Sequence, residues 1–241
     1  MKHFKPAILV MVLLFCGAYV SAQTAEEIIA KHIQSLGGIE QLSKVTSVYT
    51  ESKIEVMGME GVGKSWTLNG KGNRQDIDIM GNIITTCFND KGGWSINPMT
   101  GSTTAEDMPE AQYKSGKEQI FVGGLFVNYT EKGYKPELIG NEAVDSLNTV
   151  KVKMTSPDGN STLYYFDPLT GNLIKSISQM DVQGVLSDME IKYLDYKQTD
   201  GYNLPYKMEM YIPSAQFSMT YTVTKVEVNQ PVDEKMFEKP I

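Results

Sequence analysis

The chain has 241 residues, with 22 Lys and Arg against 29 Asp and Glu and a net charge of −7. That acidic balance excludes electrostatic attraction to nucleic acid or to an anionic membrane surface. Its two cysteines are Cys16 and Cys87; the first falls in a segment read below as a cleaved signal, so no intrachain disulfide is expected.

The opening MKHFKPAILVMVLLFCGAYVSAQ reads as a secretory signal peptide over residues 1–22. Lys2 and Lys5 are its cationic part, Ala7 to Phe15 is its apolar run, and Val20-Ser21-Ala22 supplies small residues before a cut. The minor alternative is a lipid anchor at Cys16. Phe15 argues against it, because a small residue should precede a lipidated cysteine. Cleavage leaves residues 23–241 as one expected domain. The signal carries two of the basic residues and none of the acidic ones, so that domain has a net charge of −9. The signal predicts a secreted domain.

TAEEIIAKHIQSLGG predicts the first helix. Thr24 and Glu27 form a capping box, Gly37 and Gly38 end it, and Ile28, Ile29, Ile33 and Leu36 form its apolar stripe. IEQLSKV adds a further turn. From Val48 the period becomes two: SVYTESKIEVMG, GVGKSWTLNG, NRQDIDIMG, NIITTCFND and GGWSINP each read as short strands bounded by Gly, Asn or Asp. GMEGVGKS, Gly58 to Ser65, fits the phosphate-loop pattern. That pattern requires a strand before it and a helix after it. Here strand-like alternation lies on both sides, so Gly58 to Gly63 is read as a hairpin turn with Lys64 on the next strand. Residues 99–133 interrupt the rhythm with a polar loop and a helix expected over about Pro109 to Phe121, a candidate lid. Strands then resume to the end of the chain, with PDGN and DPLTGN as turns.

Catalytic chemistry is scarce. Beyond the signal, His32 is the lone histidine, and its place in the first helix predicts a surface or half-buried residue. There is no His or Cys cluster for a metal and no pattern for a nucleophile and its base. Cys87 is read as a small buried apolar residue. Twelve of the 14 methionines lie beyond residue 22. Leu204, Tyr206, Met208, Met210 and Ile212 share one strand face, as do Phe217, Met219, Tyr221 and Val223. Methionine adapts its shape and suits surfaces that accept varied apolar ligands, and a curled sheet of this many strands can enclose a hollow.

The segments TAEEIIAKHIQSLGGIEQL, GNRQDIDIMGNIITTCFNDKGGWSINPMTGST, DYKQTDGYNLPYKME and VEVNQPVDEKMFEKP resemble the LolA-like outer-membrane lipoprotein-sorting proteins, in particular the Bacteroidetes-type branch. Gly72-Asn73 departs from that pattern, standing where relatives often have a proline-containing turn. The resemblance implies a mainly β fold: an incomplete, strongly curved antiparallel β-barrel of about 11 strands with an N-terminal helix and a helical lid. It implies a periplasmic carrier that holds lipoprotein or lipid acyl chains in an apolar hollow, with no catalysis and no cofactor. Envelope membrane proteins that load or receive cargo are implied partners, nucleic acid is not, and a monomer is expected. The expected lining is Trp66, Trp94, Ile96, Met208, Met210, Phe217, Met219 and Tyr221. Arg74, the chain's one arginine, falls where relatives carry an arginine near the lid and is expected to gate lid or ligand. The alternative is a non-enzymatic envelope interaction protein whose barrel is fully packed and which binds a protein partner.

Overall fold

The computed structural model describes residues 23–182 and 184–240; the expected signal peptide and Cys16 lie outside them. Helix α1 (Ala25–Ser35) starts where anticipated, with Thr24 and Glu27 each capping the other's backbone N–H, and it buries Ala25, Ile28, Ile29 and His32. Gly37 follows with φ +124, against the Gly201 carbonyl, where a Cβ would lie 2.4 Å from the oxygen. A side chain is excluded there by both backbone and contact. Helix α2 (Ile39–Leu42) is the further turn.

Two antiparallel meanders follow. The first is β1 (Ser47–Val56), β2 (Met59–Leu68), β3 (Gly72–Ile79), β4 (Asn82–Asn89), β5 (Gly93–Asn97) and β6 (Ser102–Asp107). The second is β7 (Lys135–Val144), β8 (Leu147–Thr155), β9 (Ser161–Phe166), β10 (Leu173–Val182), β11 (Val185–Thr199), β12 (Tyr202–Ile212) and β13 (Phe217–Val228). β1 pairs with β13, fusing both into one 13-stranded sheet with β6 and β7 at its edges. The strand number corrects the expected 11. The strand that is hardest to read is β6: Ser102–Asp107 is an exposed edge strand with no buried face, so it lacks apolar alternation and resembles a loop. The hairpin turn is also tighter than expected. It is Met57-Gly58, and Gly61 and Gly63 lie inside β2, paired with Ile54 and Ser52.

The excursion between β6 and β7 contains α3 (Glu110–Gly116) and two 3-10 turns, Lys117–Ile120 and Gly124–Phe126. The helix is therefore shorter than Pro109–Phe121. Its position shows that the sheet curls. Eight strand spacings separate β4 from β9, about 38 Å if the sheet were flat. Yet Gly116 presses on Phe88 of β4, where a Cβ would sit 2.2 Å from the ring, while Lys114 Nζ lies 3.1 Å from Asp158 in the β8–β9 turn. The excursion thus bridges the gap across the concave face.

Helices fill one part of that face. Ala25, Ile28, Ile29 and Phe126 pack on Val150, Val152, Met154, Tyr164 and Phe166. Leu36, Leu42 and Val122 pack on Val48 and Val228. His32 is buried rather than at the surface: its Nδ1 lies 2.9 Å from the Gly171 carbonyl, and its ring stands 4.8 Å and 5.1 Å from Phe126 and Phe166. Among the described residues no helix is long and apolar enough to cross a membrane.

Burial lowers the pKa of His32 from 6.5 to about 4, outweighing the opposing hydrogen bond to Gly171. Between these values the unfolded chain binds a proton that the folded one does not, so stability is intact above pH 6.5 and falls as the pH drops toward 4. The loss attributable to His32 is about 3 kcal/mol. Urea unfolding across this range should show it, and the His32→Gln variant should lack that part of the slope.

Candidate functional site

Residues paired directly across an antiparallel ladder point to the same side of a sheet. Following the ladders from Ile54 gives Tyr221, Met208 and Tyr193; following them from Val56 gives Met219, Met210 and Ile191. These share the concave face with the helices. Ile54, Val56 and Ile79 are buried there, with Met59, Ile77, Phe217, Met219 and Tyr221 partly buried against them. This cluster is built from strand residues alone. Met208 and Met210 stand beside it, half-buried. Burial pushes the Tyr221 and Tyr193 phenols above their usual pKa. The structure therefore brings Met208, Met210, Phe217, Met219 and Tyr221 together.

Trp66, Arg74, Trp94 and Ile96 are elsewhere. The ladder Tyr49–Trp66–Arg74–Cys87–Trp94 runs along the opposite, convex face, and Ile96 pairs with Thr85 on that same face. Their shared period-two spacing was legible, but the side they faced was not. These residues receive the C-terminal segment. Phe237 packs on Cys87 and Trp94 and fills the space left by Gly72, where a Cβ would fall 2.4 Å from its ring. The Phe237 carbonyl accepts from Trp94 Nε1 at 3.0 Å, Asn89 Nδ2 at 2.9 Å and the Cys87 thiol at 3.5 Å.

Arg74 belongs to this clamp rather than to the lid. Nε and Nη2 donate to the two oxygens of Asp76 at 3.0 Å each, Nη1 donates to the Met236 carbonyl at 3.3 Å, and the guanidinium lies 5.6 Å from the Trp94 ring centroid. Burial pushes the Cys87 thiol up to about 12; Arg74 opposes this and Asp76 adds to it. The thiol is thus protonated and a poor nucleophile.

The excursion has its own anchors. Lys132 and Glu118 pair at 2.7 Å, and Val122 N–H donates to Asn69 Oδ1 at 3.0 Å. Between α1 and residues 126–130 lies a groove of about 420 Å³ lined by Ile33, Ile39, Phe126 and Tyr129 among others. Sequence reasoning missed it. Ile33 read as part of the docking stripe, and only the fold brings Phe126 beside it. Among the described residues no group of three or more His, Cys, Asp or Glu could hold a metal ion.

Phe237→Ala should lower stability by about 3 kcal/mol and red-shift the Trp94 emission, read by urea unfolding and fluorescence. Arg74→Ala should loosen the same segment and speed proteolysis after Pro231.

No protein-family model and no curated protein matches the chain. Solved structures do. A DUF1329 family protein from Desulfovibrio piger aligns with a TM-score of 0.62 and 13% identity, over 90% of this chain and 98% of its own. An outer membrane lipoprotein-sorting protein domain from Vibrio parahaemolyticus aligns with a TM-score of 0.58 and 15% identity, over 89% of this chain and 96% of its own. A LolA superfamily protein from Nitrosomonas europaea gives 0.58 and 15% over 90% and 99%. The chain therefore has the LolA-like fold: one curved, unclosed antiparallel sheet with few helices.

Proposed function

We propose that this protein is a non-enzymatic periplasmic carrier that binds the acyl chains of lipoproteins or other lipids on its concave face. The observation that carries this reading is the strand-only cluster around Ile54, Val56 and Ile79, with half-buried methionines and aromatics beside it. Elsewhere the same face is covered by helices, which bury their apolar stripes there. Here the apolar side chains have only one another. Methionines at 208, 210 and 219 can repack around chains of different length and branching at small cost. Removing an acyl chain from water yields about 0.8 kcal/mol for each buried CH₂, so binding needs no charged anchor and no cofactor.

The fold shared with a lipoprotein-sorting domain supports the cargo class, and the signal-like N-terminus supports the compartment. In this reading the convex face is structural. Trp66, Arg74, Trp94 and Ile96 hold the C-terminal segment and do not touch cargo.

The test is uptake of a fluorescent fatty acid. Met208→Glu and Met210→Glu should each weaken binding by about tenfold or more, because a carboxylate placed among apolar side chains must be desolvated. Trp94→Phe, on the other face, should bind as the parent does. Equal uptake by parent and both glutamate variants would sink the reading. So would a parent that binds no probe and carries no lipid when its native mass is measured.

A further inference from the structure

The two borders of the sheet differ in their turns. One border holds Asn69-Gly70-Lys71, Asp90-Lys91-Gly92, Asp145-Ser146, Asp167 to Asn172 and Asp200-Gly201, which are ordinary polar turn residues with Leu169 exposed among them. The other border has two polar turns, Ser156 to Asn160 and Pro213 to Gln216, but it also carries Met57 and Met80 at hairpin tips, Met99 between β5 and β6, and Val185 and Leu186 just past the β10–β11 turn. Their exposures are 61%, 79%, 55%, 62% and 69%.

Turn chemistry makes this contrast sharper. Met57 and Met80 have φ of +47 and +53 and precede glycines. Asn or Asp is the favoured residue at such a position, because a side chain with a Cβ is strained there unless it makes a local hydrogen bond. The polar border follows that rule, with Asp145 and Asp200 at φ +53 and +50. The opposite border twice places a methionine in the strained conformation, and leaves it in water. Most of each side chain stays in water.

We propose that this border docks on a zwitterionic lipid bilayer, with Met57, Met80, Met99, Val185 and Leu186 entering the boundary between headgroups and acyl chains. Three observations select a bilayer. The apolar residues sit on separate hairpins: Met99, Met80 and Met57 follow one another about 10 Å apart, and Val185 and Leu186 lie about 20 Å further along the border, past the β12–β13 turn, so a protein partner would need separate matching sockets, whereas a fluid interface needs none. The tips stand clear of the body: a Cβ at Gly58, Gly81, Gly101 or Gly184 would meet nothing within 4 Å. The charged residues within three positions of the tips are Glu55, Glu60, Asp78 and Asp188, all acidic, which disfavours anionic headgroups and leaves zwitterionic ones. The border is also where the apolar cluster of the concave face ends, since Val56, Ile79 and Phe217 are terminal strand residues there. Docking stands on the tips themselves and does not depend on what the concave face binds.

Flotation with phosphatidylcholine vesicles tests this. The parent should float. The quadruple variant Met57→Ser, Met80→Ser, Val185→Ser, Leu186→Ser should partition at least about tenfold less, and its melting curve should match the parent's because the four side chains are exposed. Replacing half of the phosphatidylcholine with phosphatidylglycerol at low salt should weaken the parent's binding. Failure of the parent to float overturns the proposal, as does equal flotation of the variant or tighter binding to the anionic vesicles. A parent that stays off vesicles but cross-links through these tips to an envelope protein also overturns it, in favour of a protein partner. Fatty-acid uptake separates this proposal from the carrier reading: the quadruple variant should retain it, and loss of uptake in the parent with flotation intact would remove the carrier reading alone.

Discussion

The ladder between β1 and β13 is the contact on which the rest of the molecule depends. It pairs the start of the strand region with its end, from Val48 opposite Val228 to Val56 opposite Met219. Every other strand pairs with its neighbours in sequence, so without this ladder the chain would be two separate meanders with a raw edge on each. Closing it requires ordering more than 160 intervening residues, and the loop-closure cost grows only slowly with length. One irregularity falls between Glu51 and Ser52, where the Thr224 hydroxyl donates to the Glu51 carbonyl at 3.1 Å. Such a bulge adds twist, and it sits near the middle of the sheet.

A curled sheet that does not close has a concave face to cover and two edges to protect. The chain meets the first need with α1, α2 and the excursion after β6, which together cover part of the hollow. The polar, exposed β6 at one edge is an unattractive template for pairing with another chain. On the convex face the C-terminal segment covers Cys87 and Trp94, and a single carbonyl, that of Phe237, accepts from Trp94, Asn89 and Cys87. These coverings are specific and mutually dependent. The apolar surface left over is what remains for function.

That remainder has a consistent chemistry. Methionines and aromatics of β12 and β13 face isoleucines of β1 and β3, a lining that is soft and lacks directional polar groups. Such a lining would discriminate poorly between apolar ligands, which suits the proposed carrier of acyl chains. In the proposed arrangement the same border that holds the open end of this lining also touches the bilayer, so a chain could move between the two without crossing much water.

Much of this was open to reading in the sequence. Period-two spacing located nearly every strand, and the Thr24–Glu27 box with Gly37 located α1, because these signals are local and their physics acts within a few residues. β6 was invisible because an edge strand exposed on both sides leaves no apolar pattern. The site was only half legible. The alternation in GVGKSWTLNG establishes that Trp66 and Leu68 share a side, and the same holds for Met208 and Met210; it says nothing about which side is concave. That depended on partners far away in the chain, Phe237 for Trp94 and Ile54 for Tyr221, and on the direction in which the sheet curls. The burial of His32 was decided in the same way, by Gly171, Phe126 and Phe166 arriving from distant segments. Sequence by itself determined the elements, their period and the supply of soft apolar side chains. Only the tertiary structure assigned those side chains to a face, because a strand's two faces are equivalent until something is packed against one of them.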